Sequence, residues 1–144
     1  MSIKLEVGTA ITTILSTELN SLATAAATAL GAEVDGTTAL DIWGAFELTI
    51  TSSTPTDLSV FELYIVPAPD GTNYGDVVTG ASGRAPSNFF VGAFELRNVT
   101  SLQRISLWDV KLPPTKWKPL LISRAGSTLA ASGNLLKFIG YRLQ

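Results

Sequence analysis

Seven residues near the middle of the chain have the composition of a cation site. Asp70, Asn73 and Asp76 lie within the stretch 70–76 and offer carboxylate and amide oxygens, which are the ligands that Ca²⁺ prefers. Their spacing differs from that of an EF-hand loop, which needs oxygen ligands at alternate positions and glycine at the sixth. A tight turn with Asp70-Gly71 at its corner explains the same residues. We therefore predict that the protein binds no metal.

A second group of residues has the composition of a carbohydrate site. Tyr74 and Trp108 offer aromatic faces, on which the apolar faces of sugar rings stack, and Asn73 and Asp109 offer polar groups beside them. Single aromatic residues of a β-protein more often pack in the core or pair across strands. Both interpretations remain open for these residues at this point.

Trp117 and Lys118 form a third candidate group, because they follow the rigid pair Pro113-Pro114 and could anchor a ligand or a partner. Core packing is the commoner role for a tryptophan in a strand. We expect that role for Trp117.

The composition excludes the commonest catalytic chemistry. The 144 residues include no cysteine and no histidine, so thiol nucleophiles, Ser-His-Asp triads and zinc sites with these ligands cannot form within one chain. The spacing of the acids and lysines suggests no carboxylate pair or Ser-Lys pair. We predict a protein that is not an enzyme and uses no cofactor, with no catalytic, cofactor-binding or metal-binding residue.

Charge and hydropathy restrict the possible partners. The net charge is −2 and no basic patch is visible, which argues against nucleic acid as a partner. The longest stretch rich in Ala and Leu, Leu19 to Leu30, is too short and contains too many polar residues to span a bilayer, so we expect no membrane partner. Charged residues make up 15 %, against roughly 25 % in ordinary soluble domains. Such a surface favours coverage by protein in a larger assembly.

The pattern of the chain predicts β-structure. The string Gly-Ala-Phe-Glu-Leu occurs at 44–48 and again at 92–96, each time inside an alternating stretch typical of a strand buried on one side. The repeat is either a coincidence of strand composition or a sign of two strands in equivalent places. We predict seven or eight short strands, of which six are at Leu40–Thr51, Leu58–Val66, Phe89–Val99, Gln103–Val110, Trp117–Ser123 and Leu135–Leu143.

These strands predict an antiparallel β-sandwich or jelly roll over residues 35–144. Their inward positions predict a core of Phe46, Leu48, Phe61, Leu63, Ile65, Phe94, Leu96, Ile105 and Leu107. The segment 67–88 is rich in Gly, Asp, Ser and Pro and predicts a long loop of the kind that is usually functional.

The first 34 residues are predicted as a separate region. Ile3 to Leu15 suits either a strand or an extended arm that contacts a neighbouring subunit. The spacing of Leu19, Leu22, Ala26 and Leu30 predicts a short helix from Glu18 to Leu30, with Gly31 at its end.

Three stretches of the chain resemble small structural proteins of tailed-bacteriophage virions. They are Glu62-Leu63-Tyr64-Ile65-Val66-Pro67 running into 70–74, Gln103-Arg104 followed by Asp109-Val110-Lys111-Leu112-Pro113-Pro114-Thr115-Lys116-Trp117-Lys118, and Leu129-Ala130-Ala131-Ser132-Gly133-Asn134-Leu135-Leu136-Lys137. The chain departs from that pattern at Trp117, where the group more often has Phe, and at Ser123-Arg124, where Asn is expected near the turn.

The resemblance implies a β-sandwich subunit on the outer surface of the capsid, most simply a decoration (cement) protein that stabilises the phage head. The implied partners are the lattice of the major capsid protein and further copies of this chain, in a homo-oligomer such as a trimer. The alternative is a tail or baseplate component or a glycan-binding module. The resemblance implies no catalytic residue for any of these roles.

Overall fold

The computed structural model describes residues 3–51 and 53–144, and its secondary structure is almost entirely β. The described part of the chain has these elements in order: β1 (Leu5–Val7), β2 (Thr12–Leu15), β3 (Val34–Asp35), the single-turn helix α1 (Gly36–Ala39), β4 (Trp43–Ile50), β5 (Val60–Ala68), β6 (Phe90–Glu95), β7 (Gln103–Lys111), β8 (Lys116–Ser123) and β9 (Leu135–Leu143).

The strands form two antiparallel sheets. The larger sheet has the order β1-β9-β4-β7, and β2 pairs with β9 on the same side as β1. The smaller sheet has the order β3-β8-β5-β6. The prediction of a mainly β, two-sheet sandwich is therefore confirmed.

The core lies between the two sheets and includes the side chains that the alternating pattern predicted. Seven of the nine predicted core residues are buried, and Ile105 and Leu107 are half-buried and pack against the same cluster. The centre is aromatic. Trp117 is fully buried, with its ring centroid 5.1 Å from that of Phe138 and 6.1 Å from that of Phe46. The core role expected for Trp117 is confirmed.

The two Gly-Ala-Phe-Glu-Leu strings do not occupy equivalent places. The first lies in β4, between β9 and β7, whereas the second runs along β6, the edge strand of the smaller sheet. Both glycines face the interior, where space is short. A Cβ at Gly44 would lie 2.5 Å from the ring of Phe138, and one at Gly92 would lie 2.9 Å from a methyl group of Leu107.

The prediction of a helix at Glu18–Leu30 is wrong. A 3₁₀ turn covers Thr17–Leu19, further turns lie at 20–21 and 24–25, and the chain from Ala25 to Gly31 then runs beside β8. Backbone N–H groups of Ala25, Thr28 and Gly31 donate to the carbonyls of Ser123, Leu121 and Pro119 respectively, each at 2.9 Å. Because β3 pairs with β8 only at 116–117, the rest of that edge needs partners, and these hydrogen bonds outweigh the helix propensity of alanine.

Residues 5–7 and 12–15 are strands of the larger sheet, so the alternative of an extended arm is wrong for them. Leu5 lies opposite Leu143, and Thr12 lies opposite Phe138. Ile14 and Leu15 are about 2 % and 1 % exposed and belong to the central cluster. The segment 3–34 thus packs within the sandwich.

The long connection at 67–88 lies against the outer face of the smaller sheet. Gly80 and Ala27 exchange two backbone hydrogen bonds, which tie this connection to the extended segment beside β8. Together the two segments cover an apolar cluster whose buried members are Ala27, Tyr64, Val66, Leu120 and Ile122. The smaller sheet is therefore covered on both faces by the chain itself.

Candidate functional site

The outer face of the larger sheet carries an exposed group of apolar side chains, which we call the aromatic face. Its members are Leu5, Val7, Ile11, Trp43, Ala45, Trp108, Ile139, Tyr141 and Leu143. Leu5, Ile11 and Trp108 are 66 %, 63 % and 64 % exposed. Large exposed apolar groups that lie together mark sites of interaction, whereas scattered ones are ordinary.

Strand register brings the aromatic residues together. Tyr141 on β9 lies directly opposite Trp43 on β4 and, on its other side, opposite Val7 on β1. The next row along the sheet pairs Ile139 with Ala45. Side chains directly opposite one another on one face are in contact range, so these residues form one continuous surface.

Alternation along the edge strand β7 places Trp108 on this face, since it puts Ser106 and Trp108 opposite to the inward Leu107, and a β-bulge begins at Trp108. Val110 pairs with Gly44 and Leu107 pairs with Phe46, so Trp108 and Asp109 together oppose the single residue Ala45. Asp109 has a φ of 55°, in the left-handed region that non-glycine residues seldom adopt. Bulges of this kind redirect a side chain and are common beside functional sites.

The small side chain of Ala45 leaves a hollow next to Trp108. This hollow has a volume of about 200 Å³ and is lined by Ile11, Ala45, Trp108, Ile139 and Tyr141 on its apolar side. A second hollow of about 290 Å³ lies between Trp108 and the residues of β1, with Asp109 at its margin. Trp108 and Tyr141 line both hollows and so form a ridge between them.

Polar groups border the aromatic face. Glu47 and Lys137 lie opposite each other across β4 and β9, and both line the first hollow together with Ser106. Asp109 lies in the bulge of β7, and Lys111 follows it. The face therefore has an apolar centre and a charged margin of both signs, which is the usual anatomy of a protein interface.

The structure does not bring the predicted carbohydrate residues together. Trp108 and Asp109 lie on the larger sheet, whereas Asn73 and Tyr74 belong to the long connection that covers the smaller sheet. The predicted carbohydrate site that combines these four residues is therefore wrong. The aromatic partners of Trp108 are Trp43 and Tyr141, which the sequence pattern did not indicate.

Tyr74 instead joins the long connection to the sandwich through contacts with Glu33 and Lys118. Its hydroxyl donates to the Glu33 carboxylate, which also forms an ion pair of 3.1 Å with Lys116, and the ammonium of Lys118 lies 4.5 Å from the centre of its ring. Burial, and then the hydrogen bond to Glu33, raise the pKa of Tyr74 to about 12. The hydrogen bond from Tyr74 is the main cause that lowers the pKa of Glu33.

The stretch Asp70–Asp76 begins with the tight turn proposed as the alternative to a cation site. One carboxylate oxygen of Asp70 accepts from the backbone N–H groups of Thr72 and Asn73, at 2.9 and 2.7 Å, and the other accepts from the side-chain amide of Asn73 at 2.7 Å. Gly71 adopts a φ of 78° at the corner. Both carboxylate oxygens thus have partners from the turn itself.

Asp70 should make the stability of this turn depend on pH. Its backbone hydrogen bond from Asn73, with the further bonds in the turn, lowers the pKa of Asp70 from 3.8 to about 2. A lowered pKa in the folded state means that the carboxylate stabilises the fold above pH 3.8 and loses this effect as the pH falls towards 2.

We therefore expect Asp70→Asn to lower the melting temperature by a constant amount at neutral pH, and by a vanishing amount as the pH approaches 2. Thermal melts of both proteins across this range, with and without chelator, provide the test. Chelator should change neither curve. A difference between the two proteins that is the same at every pH would contradict the prediction, and a chelator effect would restore the cation site.

The described residues show no other arrangement that points to chemistry. Within residues 3–51 and 53–144, no three His, Cys, Asp or Glu side chains lie close enough together to hold a metal ion. Over the same ranges, no helix has the length and apolarity needed to cross a bilayer. The aromatic face is therefore the strongest candidate for a functional site.

The comparisons with known proteins add little to this geometry. No protein-family model matches the chain, and no curated protein matches it. Among solved structures it is similar to a carbohydrate-binding module from the β-sandwich superfamily, at 11 % identity and a TM-score of 0.34, with 99 % of this chain and 56 % of that chain covered.

The chain is also similar to an arabinose-bound α-L-arabinofuranosidase, at 15 % identity and a TM-score of 0.33, with 99 % of this chain and 22 % of that chain covered. The chain thus spans about half the length of the first of these structures and about a fifth of the second. Likenesses this distant carry no argument about what the protein binds.

Proposed function

We propose that this protein is a non-enzymatic structural subunit of a tailed-phage virion, and that it decorates and stabilises the outer surface of the capsid. The observation that carries the proposal is the uncovered aromatic face, where Leu5, Ile11 and Trp108 are each more than 60 % exposed. An exposed apolar surface of this size marks a site that another protein covers. The resemblance of the sequence to phage virion proteins indicates the setting.

The strand pairings support a jelly roll as the finer description of the fold. Strand β2 pairs with β9, β3 with β8, β4 with β7, and β5 with β6. These nested pairs describe one long antiparallel hairpin, β2–β5 against β6–β9, rolled into two sheets. This eight-stranded arrangement is common in viral capsid domains and in lectins. It is compatible with the proposal but does not by itself define a function.

The mechanism of such a protein is thermodynamic linkage. A subunit that binds the assembled lattice and not the free capsid subunits stabilises the assembled state by an amount that grows with its concentration relative to Kd. The protein needs a rigid fold and an apolar contact surface for this, and it needs no reacting group. Repetition over many lattice sites multiplies a modest contact energy.

The test is to add the purified protein to phage heads that lack it, and to measure occupancy and the temperature at which the heads open. We expect the wild-type protein to coat the heads and raise that temperature. Trp108→Glu should weaken attachment to heads at least about 30-fold, because it removes a central aromatic contact of the face that protein covers in the assembled particle. Leu58→Glu is the matched control, since Leu58 is 85 % exposed in a turn outside the aromatic face. Failure of the wild-type protein to bind heads would refute the proposal.

Glycan binding is the second candidate, because three aromatic rings line the hollow between Trp108 and β1. Trp43, Trp108 and Tyr141 could stack on sugar rings, and Asp109 at the margin could accept their hydroxyl groups. The aliphatic side chains of Leu5 and Ile11 extend the apolar surface well beyond the size of one sugar ring. That extension favours a protein partner over a glycan.

A further inference from the structure

We propose that the aromatic face is covered by a second copy of this chain, so that the protein is a dimer in which the two larger sheets pack face to face. This inference goes beyond the proposed function, which requires a protein against this face without saying which one. It commits to an occupant of defined chemistry: the same apolar sheet, related by a two-fold axis.

The exposed area matches what one side of a stable dimer requires. Five large side chains of the face, Leu5, Val7, Ile11, Trp108 and Leu143, are between 46 % and 66 % exposed. At roughly 200 Å² for a fully exposed large side chain, they leave on the order of 600 Å² of apolar surface. The half-buried Trp43, Ile139 and Tyr141 and the polar margin add to this area. The sum approaches the roughly 800 Å² that each partner buries in an interface of standard size.

The shape of the face favours a second copy over an unrelated surface. Two sheets pack well when their twists match, with a spacing of about 10 Å between them. An identical sheet has the same twist, and a two-fold axis makes one patch complementary to itself. The smaller sheet cannot serve in this way, because residues 67–88 and the segment beside β8 already cover its outer face.

The charges at the margin permit self-association. A face with charge of a single sign would repel its own copy. Here Glu47 lies opposite Lys137, and Asp109 is followed two residues later by Lys111. The apolar centre is free of charge, so no ionised group must be buried without a partner when two copies meet.

The experiment measures the mass of the full-length protein by light scattering and sedimentation over a dilution series. Wild-type protein should show twice the chain mass of 15.2 kDa. Trp108→Glu should weaken the dimer at least about 30-fold, and Leu58→Glu should not weaken it. If Trp108→Glu fails to fold by circular dichroism, Leu5→Lys at the same face takes its place, and it should dissociate the dimer in the same way.

A labelling measurement locates the interface. Because the chain has no cysteine, Ser106→Cys places a single thiol at the margin of the aromatic face, in the hollow beside Trp108, and Ser87→Cys places one far outside it. In the dimer the thiol at position 106 should react with maleimide more slowly than the one at 87, and adding Trp108→Glu should remove the difference. Equal reactivity of the two thiols in the wild-type background would overturn the proposal.

The outcomes separate this inference from the proposed function. A monomer at all concentrations, or a trimer, would overturn the face-to-face dimer while leaving capsid decoration open. A monomer whose tryptophan fluorescence responds to a polysaccharide, with the response lost in Trp108→Glu, would also overturn it and would favour the glycan candidate. A dimer that fails to coat heads would support this inference and refute the proposed function.

Discussion

Trp117→Ala should lower the free energy of unfolding by about 3–5 kcal/mol, which is the range for removing a large aromatic side chain from a core. The indole is fully buried and packs edge-on against Phe138, with 5.1 Å between the ring centroids. Phe46 contacts the other two rings of this group from β4. Since domains of this size are stable by only 5–15 kcal/mol, the variant should melt far below the wild type.

Trp108→Ala is the matched control for this prediction, because it removes the same side chain from an exposed position. Trp108 is 64 % exposed, so the isolated chain should lose well under 1 kcal/mol. Chemical denaturation of dilute, monomeric samples compares the two variants. Equal losses at the two positions would mean that the core has been assigned to the wrong face of the sheets.

Deletion of residues 1–15 should prevent folding. It removes Ile14 and Leu15 from the core and uncovers Leu136 and Phe138, which are at most 1 % exposed in the intact chain. Truncating one buried Leu or Ile typically costs 2–5 kcal/mol, and losing two of them together with a strand approaches the whole stability of a domain. Circular dichroism and amide exchange should show an unfolded or aggregated chain.

Deletion of residues 1–8 is the control for the longer truncation. It removes β1, of which Leu5 and Val7 are exposed, and leaves β2 and its buried residues in place. This shorter protein should fold with a modest loss of stability. A folded product from the longer deletion would restore the view of residues 3–15 as an arm outside the sandwich.

Much of the core follows from alternation alone. In the predicted strand Leu58–Val66 the core residues Phe61, Leu63 and Ile65 recur at every second position, and β5 lies within two residues of those limits. A period of two has one physical solution, a strand with one face buried. For this reason the faces of Phe46, Phe61 and Phe94 could be assigned before the pairing of the strands was known.

The segment after Glu18 shows where local pattern fails. Its alanines and leucines have the spacing and propensity of a helix, but the edge of β8 offered backbone partners that no local rule reveals. A hydrogen bond to a strand about 90 residues away is decided by the whole fold. The helix propensity of the alanines and leucines in this segment could not predict it.

The aromatic face was missed for a different reason. Tyr141 and Ile139 alternate with the core residues of β9, so both faces of that strand are apolar. A strand that is apolar on both sides indicates that both sides are covered. That signal was present in the sequence, but the meeting of Trp108, Tyr141 and Trp43 on one face depends on the register of β7 and β9 against β4, which only the pairing of the strands determines.

The nested pairing of the strands has a consequence for how the chain reaches its native state. Strands β5 and β6 are joined by a connection of 21 residues, but β2 and β9 bring together Thr12 and Phe138. The entropy lost on closing a loop grows with its length, so the inner hairpin closes first and the pairing then proceeds outwards. Because β9 occupies the interior of the larger sheet, between β4 and the N-terminal strands, that sheet cannot be completed during synthesis until the last strand has left the ribosome. Until then β4 offers an unpaired edge, and this is the stage at which the nascent chain most needs protection from aggregation.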